Sequence, residues 1–242
     1  MNHRTHDNPG PNGGICVTVA LPDTDSAISA VTPLTKDIDV VEIRLDAMEQ
    51  ISIPKICRDI SRPLLFTNRA AWEGGLCSKP EEERLSLLRE AVRQQAAFVD
   101  LELATPLQYR EQLLSEISDS TTRLIISHHD FAQTPDSDTL SAILREQIAS
   151  GAHIGKIVTM AHSYLDVLRV LHLQCEARNR NFPLIAFCMG EEGKLSRIVT
   201  LLLGGFMTYA AIDEQHAAAP GQLSVYRLKE AIAYLSCRKS PV

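Results

Sequence analysis

Short runs of apolar and β-branched residues recur along the chain, and the segments between them carry apolar residues at helical spacing. There are eight such runs: ICVTVA, DVVEIRLD, PLLFTNR, AFVDLELA, RLIISHHD, HIGKIVTM, PLIAFCM and FMTYAAI. Intervening segments such as DSDTLSAILREQIASGA place apolar residues three and four apart, and several begin with Asp, Ser or Thr, which are common helix N-caps. Alternating strands and helices require parallel strand pairing. The pattern therefore predicts an α/β fold.

The number of predicted strands distinguishes two α/β architectures. Eight strand and helix units within 242 residues fit a (β/α)8 TIM barrel. A doubly wound open sheet normally has fewer strands and a glycine-rich phosphate turn after the first one. The turn here reads LPDTDS and has no such glycines. We predict a single-domain barrel over residues 15–242, preceded by a flexible tail over residues 1–14 that is rich in Gly, Pro and Asn.

Composition excludes several classes of function. A formal net charge of -6 argues against a nucleic-acid-binding protein, because phosphate recognition requires a surplus of cations. No apolar run reaches the roughly 18 residues of a membrane span. The N-terminus has no apolar signal-peptide core, and the cysteines form no C-x-x-C pair, so we expect a cytosolic protein.

Charged residues concentrate at the predicted strand ends. In a barrel the C-terminal ends of the strands form the active face, so these side chains should converge on one site. An isolated Glu and Arg pair is usually structural, but a group of charges at one end of a barrel favours a binding site. The candidates are Glu42, Arg44, Arg69, Glu73, Asp100, Glu102 and Arg197.

Lys156, in HIGKIVTM, is the most informative single residue. Lysine is depleted from buried strands, yet period-two alternation puts Lys156 on the same face as Ile154 and Val158. If that face lines the barrel, burial and nearby cations such as Arg69 or Arg197 would lower the pKa of Lys156 and favour a nucleophilic neutral amine. The alternative is a structural lysine paired with Glu42, Asp100 or Glu102.

Two adjacent histidines end the fifth predicted strand. Alternation puts His129 on the same face as Ser127 and His128 on the opposite face. Both faces of a barrel strand are apolar, so the pattern alone leaves open which histidine faces the site. His129 lies closer to the strand end, where catalytic groups concentrate.

Seven stretches together resemble one family, type I 3-dehydroquinate dehydratase, the Schiff-base enzyme of the shikimate pathway. In the family's order they are EIRLD, FTNRAAWEGG, VDLEL, SHHDFAQTP, GAHIGKIVTM, MGEEGKLSR and AAAPGQL. The resemblance implies dehydration of 3-dehydroquinate to 3-dehydroshikimate. It also implies a homodimer and a reaction that needs no metal or organic cofactor.

The resemblance assigns roles to individual positions. It implies that Lys156 forms an imine with the substrate ketone, that His129 is the general acid and base, and that Glu73 orients His129. Of the implied substrate-binding residues, the first three hold the ring hydroxyls, the fourth packs against the ring, the fifth binds the carboxylate and the last belongs to the loop that closes over the substrate. They are Glu42, Arg44, Arg69, Met189, Arg197 and Gln222.

The loop after the eighth predicted strand departs from the family pattern. Where the family usually has Ser-Ala-Pro-Gly-Gln, this chain has Ala218 in place of the serine. We expect the loop to lack one hydroxyl contact to the substrate, while the implied catalytic lysine and histidine are retained.

Three other functions fit parts of the sequence. A Schiff-base aldolase acting on a phosphorylated sugar would need a glycine-rich phosphate site near the eighth strand, which FMTYAAIDEQHAAAPGQ lacks. A catalytically silent sensor would need neither Lys156 nor His129. A metal hydrolase is suggested only by the eight histidines of the chain.

Overall fold

A computed structural model of the chain describes residues 14–236 and confirms the predicted α/β barrel. Eight parallel strands each precede a helix. The strands are β1 (Gly14–Val19), β2 (Val40–Arg44), β3 (Leu64–Thr67), β4 (Phe98–Glu102), β5 (Arg123–Asp130), β6 (Ile154–Met160), β7 (Leu184–Met189) and β8 (Met207–Ala211). The helices are α1 (Thr24–Val31), α2 (Ile53–Asp59), α3 (Glu81–Arg93), α4 (Leu107–Ser118), α5 (Ser137–Ala149), α6 (Tyr164–Asn179), α7 (Lys194–Leu202) and α8 (Val225–Ser236).

The sheet curves into a nearly closed barrel. Its strand order is β7-β6-β5-β4-β3-β2-β1-β8, and every paired ladder in this order is parallel. At the remaining seam, the backbone N–H of Phe206 donates to the carbonyl of Leu184 at 2.8 Å. The strand ends therefore form a ring, and residues far apart in sequence face each other across it.

Side-chain alternation divides the apolar core into two layers. Ile154 and Val158 of β6 pack inside the barrel with residues such as Cys16 and Tyr209. Ile157 of the same strand points outward and packs under the helices. Because Lys156 shares the parity of Ile154 and Val158, it points into the barrel, as the sequence predicts.

Helix starts follow the capping pattern in several places. The side chain of Asp136 accepts a hydrogen bond from the N–H of Thr139 at the start of α5. Ser163 and Asp166 form a capping box at the start of α6. By contrast, α3 begins after Pro80 without a side-chain cap.

The barrel begins at β1, and two of its cysteines are buried in the core. Strand β1 begins at Gly14, one residue before the predicted start, and the rest of the predicted tail lies outside the described residues. Cys16 and Cys188 are fully buried in the core, and burial raises the pKa of both thiols. Between residues 14 and 236, no helix combines the length and apolarity that crossing a bilayer would require.

Core packing leads to a stability prediction. Leu88 of α3 is fully buried in the layer between helices and sheet. We expect Leu88→Ala to lower the free energy of unfolding by about 2 to 5 kcal/mol, because it removes buried methyl groups and leaves a cavity. Urea denaturation followed by circular dichroism measures this change.

Leu107, the first residue of α4, provides the matched control. It is 59% exposed, so Leu107→Ala should leave the unfolding midpoint nearly unchanged. Equal losses in the two variants would contradict the described packing.

Candidate active site

A pocket of about 540 Å³ opens at the C-terminal ends of the strands. Nine of the site residues predicted from the sequence line it, and they come from six different strands or the segments that follow them. They are Glu42, Arg44, Arg69, Glu73, His129, Lys156, Met189, Arg197 and Gln222. The closure of the barrel therefore brings these nine residues into one cavity, whereas the strand-end candidates Asp100 and Glu102 do not line it.

Lys156 lies buried in this pocket with only 4% of its surface exposed. Its Nζ donates to Asp100 Oδ2 at 3.0 Å and lies 3.6 Å from Glu42 Oε1. The ring of Tyr209 lies 4.3 Å from the same nitrogen, measured to the ring centroid. Its ion-pair partners are thus Asp100 and Glu42, two of the carboxylates that the structural alternative names. The lysine is ion-paired, as in the structural interpretation, and also faces the pocket, as a nucleophile must.

His129 is the histidine that faces the pocket. On β5, His129 pairs with Val158, whose side chain is inside the barrel, whereas His128 does not line the pocket. Nδ1 of His129 lies 2.8 Å from Glu73 Oε2. Among the described residues, nothing hydrogen-bonds to Nε2 of His129, so that nitrogen remains available to a ligand.

Glu73 and His129 form a buried pair with shifted pKa values. Burial raises the pKa of Glu73 to about 8, and the nearby Arg69 only partly opposes this. Burial also holds the pKa of His129 well below its usual range, and the positive charges of Arg69 and Lys156 lower it further. The two groups share one hydrogen bond and titrate as a unit. The imidazole is therefore neutral near pH 7, and the pair keeps one proton on Glu73 until the pH approaches about 8.

Arg69 is surrounded by acceptors. Its Nη1 donates to Glu102 Oε1 at 2.8 Å and to Ser127 Oγ at 2.7 Å, and its Nη2 donates to Asp100 Oδ1 at 2.7 Å. Nη1 also lies 3.5 Å from Glu73 Oε2. Most of the guanidinium is thus committed to protein groups, which leaves little of it for a ligand.

Asp100 contacts both buried cations. Burial works to raise its pKa, but Arg69 and Lys156 outweigh this effect and lower the pKa to about 2. Asp100 therefore stays ionised near neutral pH. Its charge holds the Lys156 side chain at one place in the pocket.

Arg197 differs from the other buried cations because it has no acidic partner. Only 1% of its surface is exposed, and its guanidinium lies 4.5 Å from the ring centroid of Phe187. Over residues 14–236, no carboxylate lies within ion-pair distance of it, and its one protein acceptor is the carbonyl of Pro220, 3.4 Å from Nη2. Burial lowers its pKa to about 10. An unpaired buried guanidinium in a pocket is a strong site for a carboxylate.

Polar groups on the first three strands complete the rim. Glu42 accepts hydrogen bonds from Thr18 Oγ1 and Thr67 Oγ1, both at 2.9 Å. Arg44 is held by Asp46 through two hydrogen bonds of 2.9 and 2.7 Å. Both side chains are thus fixed before any ligand binds.

The loop after β8 contacts the pocket through Gln222 and Ala218. Nε2 of Gln222 donates to Thr18 Oγ1 at 3.2 Å, and its Oε1 accepts from the backbone N–H of Ala218 at 2.7 Å. Gly221 has a φ of 73°, and a Cβ there would lie 2.1 Å from the carbonyl oxygen of Gly190. Only glycine allows this close approach, so Gly221 docks the loop against the turn after β7.

Several pocket residues carry no signal that the sequence pattern could reveal. Thr18 and Tyr209 look like ordinary strand residues, and their role depends on the hydrogen bonds of Thr18 and on the ring contact of Tyr209 with Lys156. Asp100 was expected among the charged strand-end residues and as a possible partner of Lys156, and the second of these expectations describes its contact.

The arrangement combines a buried amine, an imidazole paired with a carboxyl group, and a cation that is free for an anion. These are the groups needed to attack a ketone, move a proton and bind a carboxylate. Within the described part of the chain, no three His, Cys, Asp or Glu side chains are grouped so that they could hold a metal ion.

Comparison with known proteins identifies the family. The sequence model of the family described as Type I 3-dehydroquinase matches residues 15–238. A 3-dehydroquinate dehydratase from Desulfotalea psychrophila is 40% identical over 215 residues, which cover 89% of this chain and 95% of the relative. One from Methanococcus maripaludis is 36% identical over 227 residues, which cover 92% of this chain and 100% of the relative.

A solved structure agrees with these relatives. The crystal structure of 3-dehydroquinate dehydratase from Geobacillus kaustophilus superposes with a TM-score of 0.85 at 28% identity, and the match covers 93% of each chain. The chain therefore belongs to the type I 3-dehydroquinase family, a family of hydro-lyases.

Proposed function

We propose that this enzyme dehydrates 3-dehydroquinate to 3-dehydroshikimate through an imine on Lys156, with His129 as general acid and base. The observation that carries the proposal is the buried Lys156 in one pocket with the Glu73 and His129 pair. Membership in the family favours this reaction over the aldolase, the sensor and the metal hydrolase. The proposal includes a homodimer, which the family resemblance implies, and a cytosolic location.

The first step joins Lys156 to the substrate ketone. The ammonium passes one proton to a base, the neutral amine attacks C3, and the carbonyl oxygen leaves as water. Ammonium and ketone together give a protonated imine and water, so no external proton is consumed. The positive charge stays on the lysine nitrogen, where Asp100 and Glu42 stabilise it before and after the step.

The second step removes a proton from C2. The protonated imine withdraws electrons, and Nε2 of His129 accepts the proton to give an enamine and an imidazolium. The Glu73 carboxylate stabilises that imidazolium through Nδ1. The imidazolium then protonates the departing C1 hydroxyl, and hydrolysis of the conjugated imine releases the product.

The remaining residues are assigned to substrate binding. Arg197 binds the substrate carboxylate. Unlike Arg69 and Lys156, it is a buried cation that has no carboxylate partner among the described residues. Met189 packs against the ring from β7. We assign the ring hydroxyls to Glu42, Arg44, Arg69 and Gln222.

Trapping of the imine tests the proposal directly. We expect borohydride reduction in the presence of 3-dehydroquinate to attach the ligand covalently to Lys156, and peptide mass spectrometry locates the adduct. Lys156→Ala should give no adduct and should lose activity by at least about 10³-fold, because no other group replaces the nucleophile.

Lys194, a half-buried lysine at the start of α7 that does not line the pocket, supplies the matched control. Lys194→Ala should form the adduct normally. A wild-type protein that binds 3-dehydroquinate but gives no adduct on Lys156 would contradict the imine.

The pH dependence of turnover tests the histidine. We expect kcat/KM to rise with pH as the Glu73 and His129 pair loses its proton, because only the deprotonated pair leaves Nε2 of His129 able to accept the C2 proton. The acid limb should lie near the pKa of about 8 that burial gives Glu73. An ordinary histidine would place it near about 6.5.

Two variants check this assignment. In Glu73→Gln the limb should move to lower pH, because burial and the cations Arg69 and Lys156 hold the pKa of the remaining His129 low. In His128→Asn the acid limb should stay in place, since His128 does not line the pocket. The opposite pattern would show that His128 is the catalytic base.

Replacement of Ala218 by serine should increase the affinity for the substrate. Its side chain lines the pocket beside Gln222. We expect Ala218→Ser to lower KM by about two- to tenfold, the effect of one added hydrogen bond, with little change in kcat. The neighbouring Ala217→Ser, outside the pocket lining, should leave KM unchanged. An unaltered KM in Ala218→Ser would show that no hydroxyl contact is missing.

A further inference from the structure

A row of alternating charges continues behind Arg69, away from the pocket. Glu102 is fully buried, and its Oε1 accepts from Arg69 Nη1 at 2.8 Å and from the N–H of Ala70 at 3.2 Å. Its other oxygen, Oε2, lies 2.7 Å from Nη1 of Arg84. Arg84 in turn pairs with Glu81, through Nε at 3.0 Å and Nη2 at 2.5 Å.

Arg84 is fixed from several directions. It is 1% exposed, and its Nη1 donates to the carbonyl of Asn68 at 2.8 Å. Asn68 Nδ2 donates back to the Arg84 carbonyl at 2.8 Å. Because Nη1 is directed at Asn68, its contact with Glu102 Oε2 is an ion pair without good hydrogen-bond geometry. Arg84 therefore neutralises Glu102 mainly through its charge.

Glu102 and Glu73 compete for one nitrogen. Nη1 of Arg69 lies 2.8 Å from Glu102 and 3.5 Å from Glu73. The guanidinium thus sits closer to the carboxylate behind the site than to the one that holds His129. Neither Glu102 nor Arg84 lines the pocket, so neither touches a bound ligand.

We propose that Glu102 and Arg84 are a pair of positioning residues, which act through Arg69 to set how readily the Glu73 and His129 pair gives up its proton. What that pair does with the proton rests on the proposed function. The positioning itself rests on the contacts of Arg69.

The direction of the effect follows from the charges that face the pair. Glu73 faces Arg69, Lys156, Asp100, Glu102 and His129. Arg69 and Lys156 lower the Glu73 pKa, and Glu102 and Asp100 raise it. His129 also faces Arg44 and His128, both of which lower its pKa.

Removing the charge of Glu102 and removing the charge of Arg84 should therefore shift the pKa of the Glu73 and His129 pair in opposite directions. Without the Glu102 charge, Arg69 is drawn toward Glu73 and stabilises its carboxylate. Without the Arg84 charge, Glu102 is less neutralised, holds Arg69 more firmly and adds negative potential at Glu73. A purely structural role for the two residues predicts no such opposition.

Titration of His129 by NMR in the free protein tests the proposal, and the pH profile of kcat/KM with 3-dehydroquinate accompanies it. We expect Glu102→Gln to shift the midpoint of the pair to lower pH by about 0.5 unit or more, and Arg84→Met to shift it to higher pH. Glu81→Gln is the matched control, because it removes a carboxylate partner of Arg84 that does not touch Arg69. Its midpoint should stay within about 0.2 unit of wild type.

Melting curves establish which variants fold. If only one of Glu102→Gln and Arg84→Met folds, its midpoint alone tests the proposal. An unchanged midpoint in a folded variant, or shifts of both variants in the same direction, would overturn the proposal. A wild-type protein that leaves 3-dehydroquinate unconverted would refute the proposed function instead. The NMR midpoints would still report on Glu102 and Arg84.

Discussion

The neutralisation of buried carboxylates by Arg69 and Lys156 is the interaction on which the site depends. Glu73, Asp100 and Glu102 all lie within 4.0 Å of Arg69, and Asp100 and Glu42 lie within the same distance of Lys156. Each of these buried charges is compensated by a close partner, and the loss of one partner of a buried ion pair typically costs about 3 to 5 kcal/mol. The site is therefore rigid because its charges require each other.

Barrel closure makes this network possible. Arg69 follows β3, Asp100 and Glu102 lie on β4, Ser127 on β5 and Lys156 on β6, so consecutive strands supply consecutive members. Parallel register sets their heights, since Ser127 pairs with Lys156 on one side and with Glu102 on the other. The period-two alternation of each strand then turns these side chains inward together.

The sequence predicts the elements well because hydrophobic periodicity determines them locally. All eight strands follow from the runs of apolar and β-branched residues, and the face on which Lys156 lies follows from the period-two alternation of β6. The choice between His128 and His129 does not, because both faces of a barrel strand are apolar and only the pairing of β5 with β6 fixes the orientation.

The charge environment of Lys156 shows a second limit of sequence reasoning. The sequence left open whether Lys156 pairs with Glu42, Asp100 or Glu102, and in the structure its nitrogen lies within 4.0 Å of Asp100 and Glu42. Distances between residues on different strands depend on barrel register and tilt, which no local pattern encodes. For the same reason, the sequence does not reveal that Glu73 and Glu102 both contact Arg69.

The distribution of carboxylates around the pocket matches the movement of charge in the proposed reaction. An ammonium and a protonated imine carry the same charge, so Asp100 stabilises Lys156 equally before and after the imine forms. Abstraction of the C2 proton then moves one positive charge from the lysine nitrogen to His129, where Glu73 lies 2.8 Å from Nδ1. Arg69 contacts the carboxylates at both ends of this transfer and so makes the stabilisation of one end depend on the other. The proton affinity of His129 is therefore a property of the whole buried network, which is why residues outside the pocket can tune it.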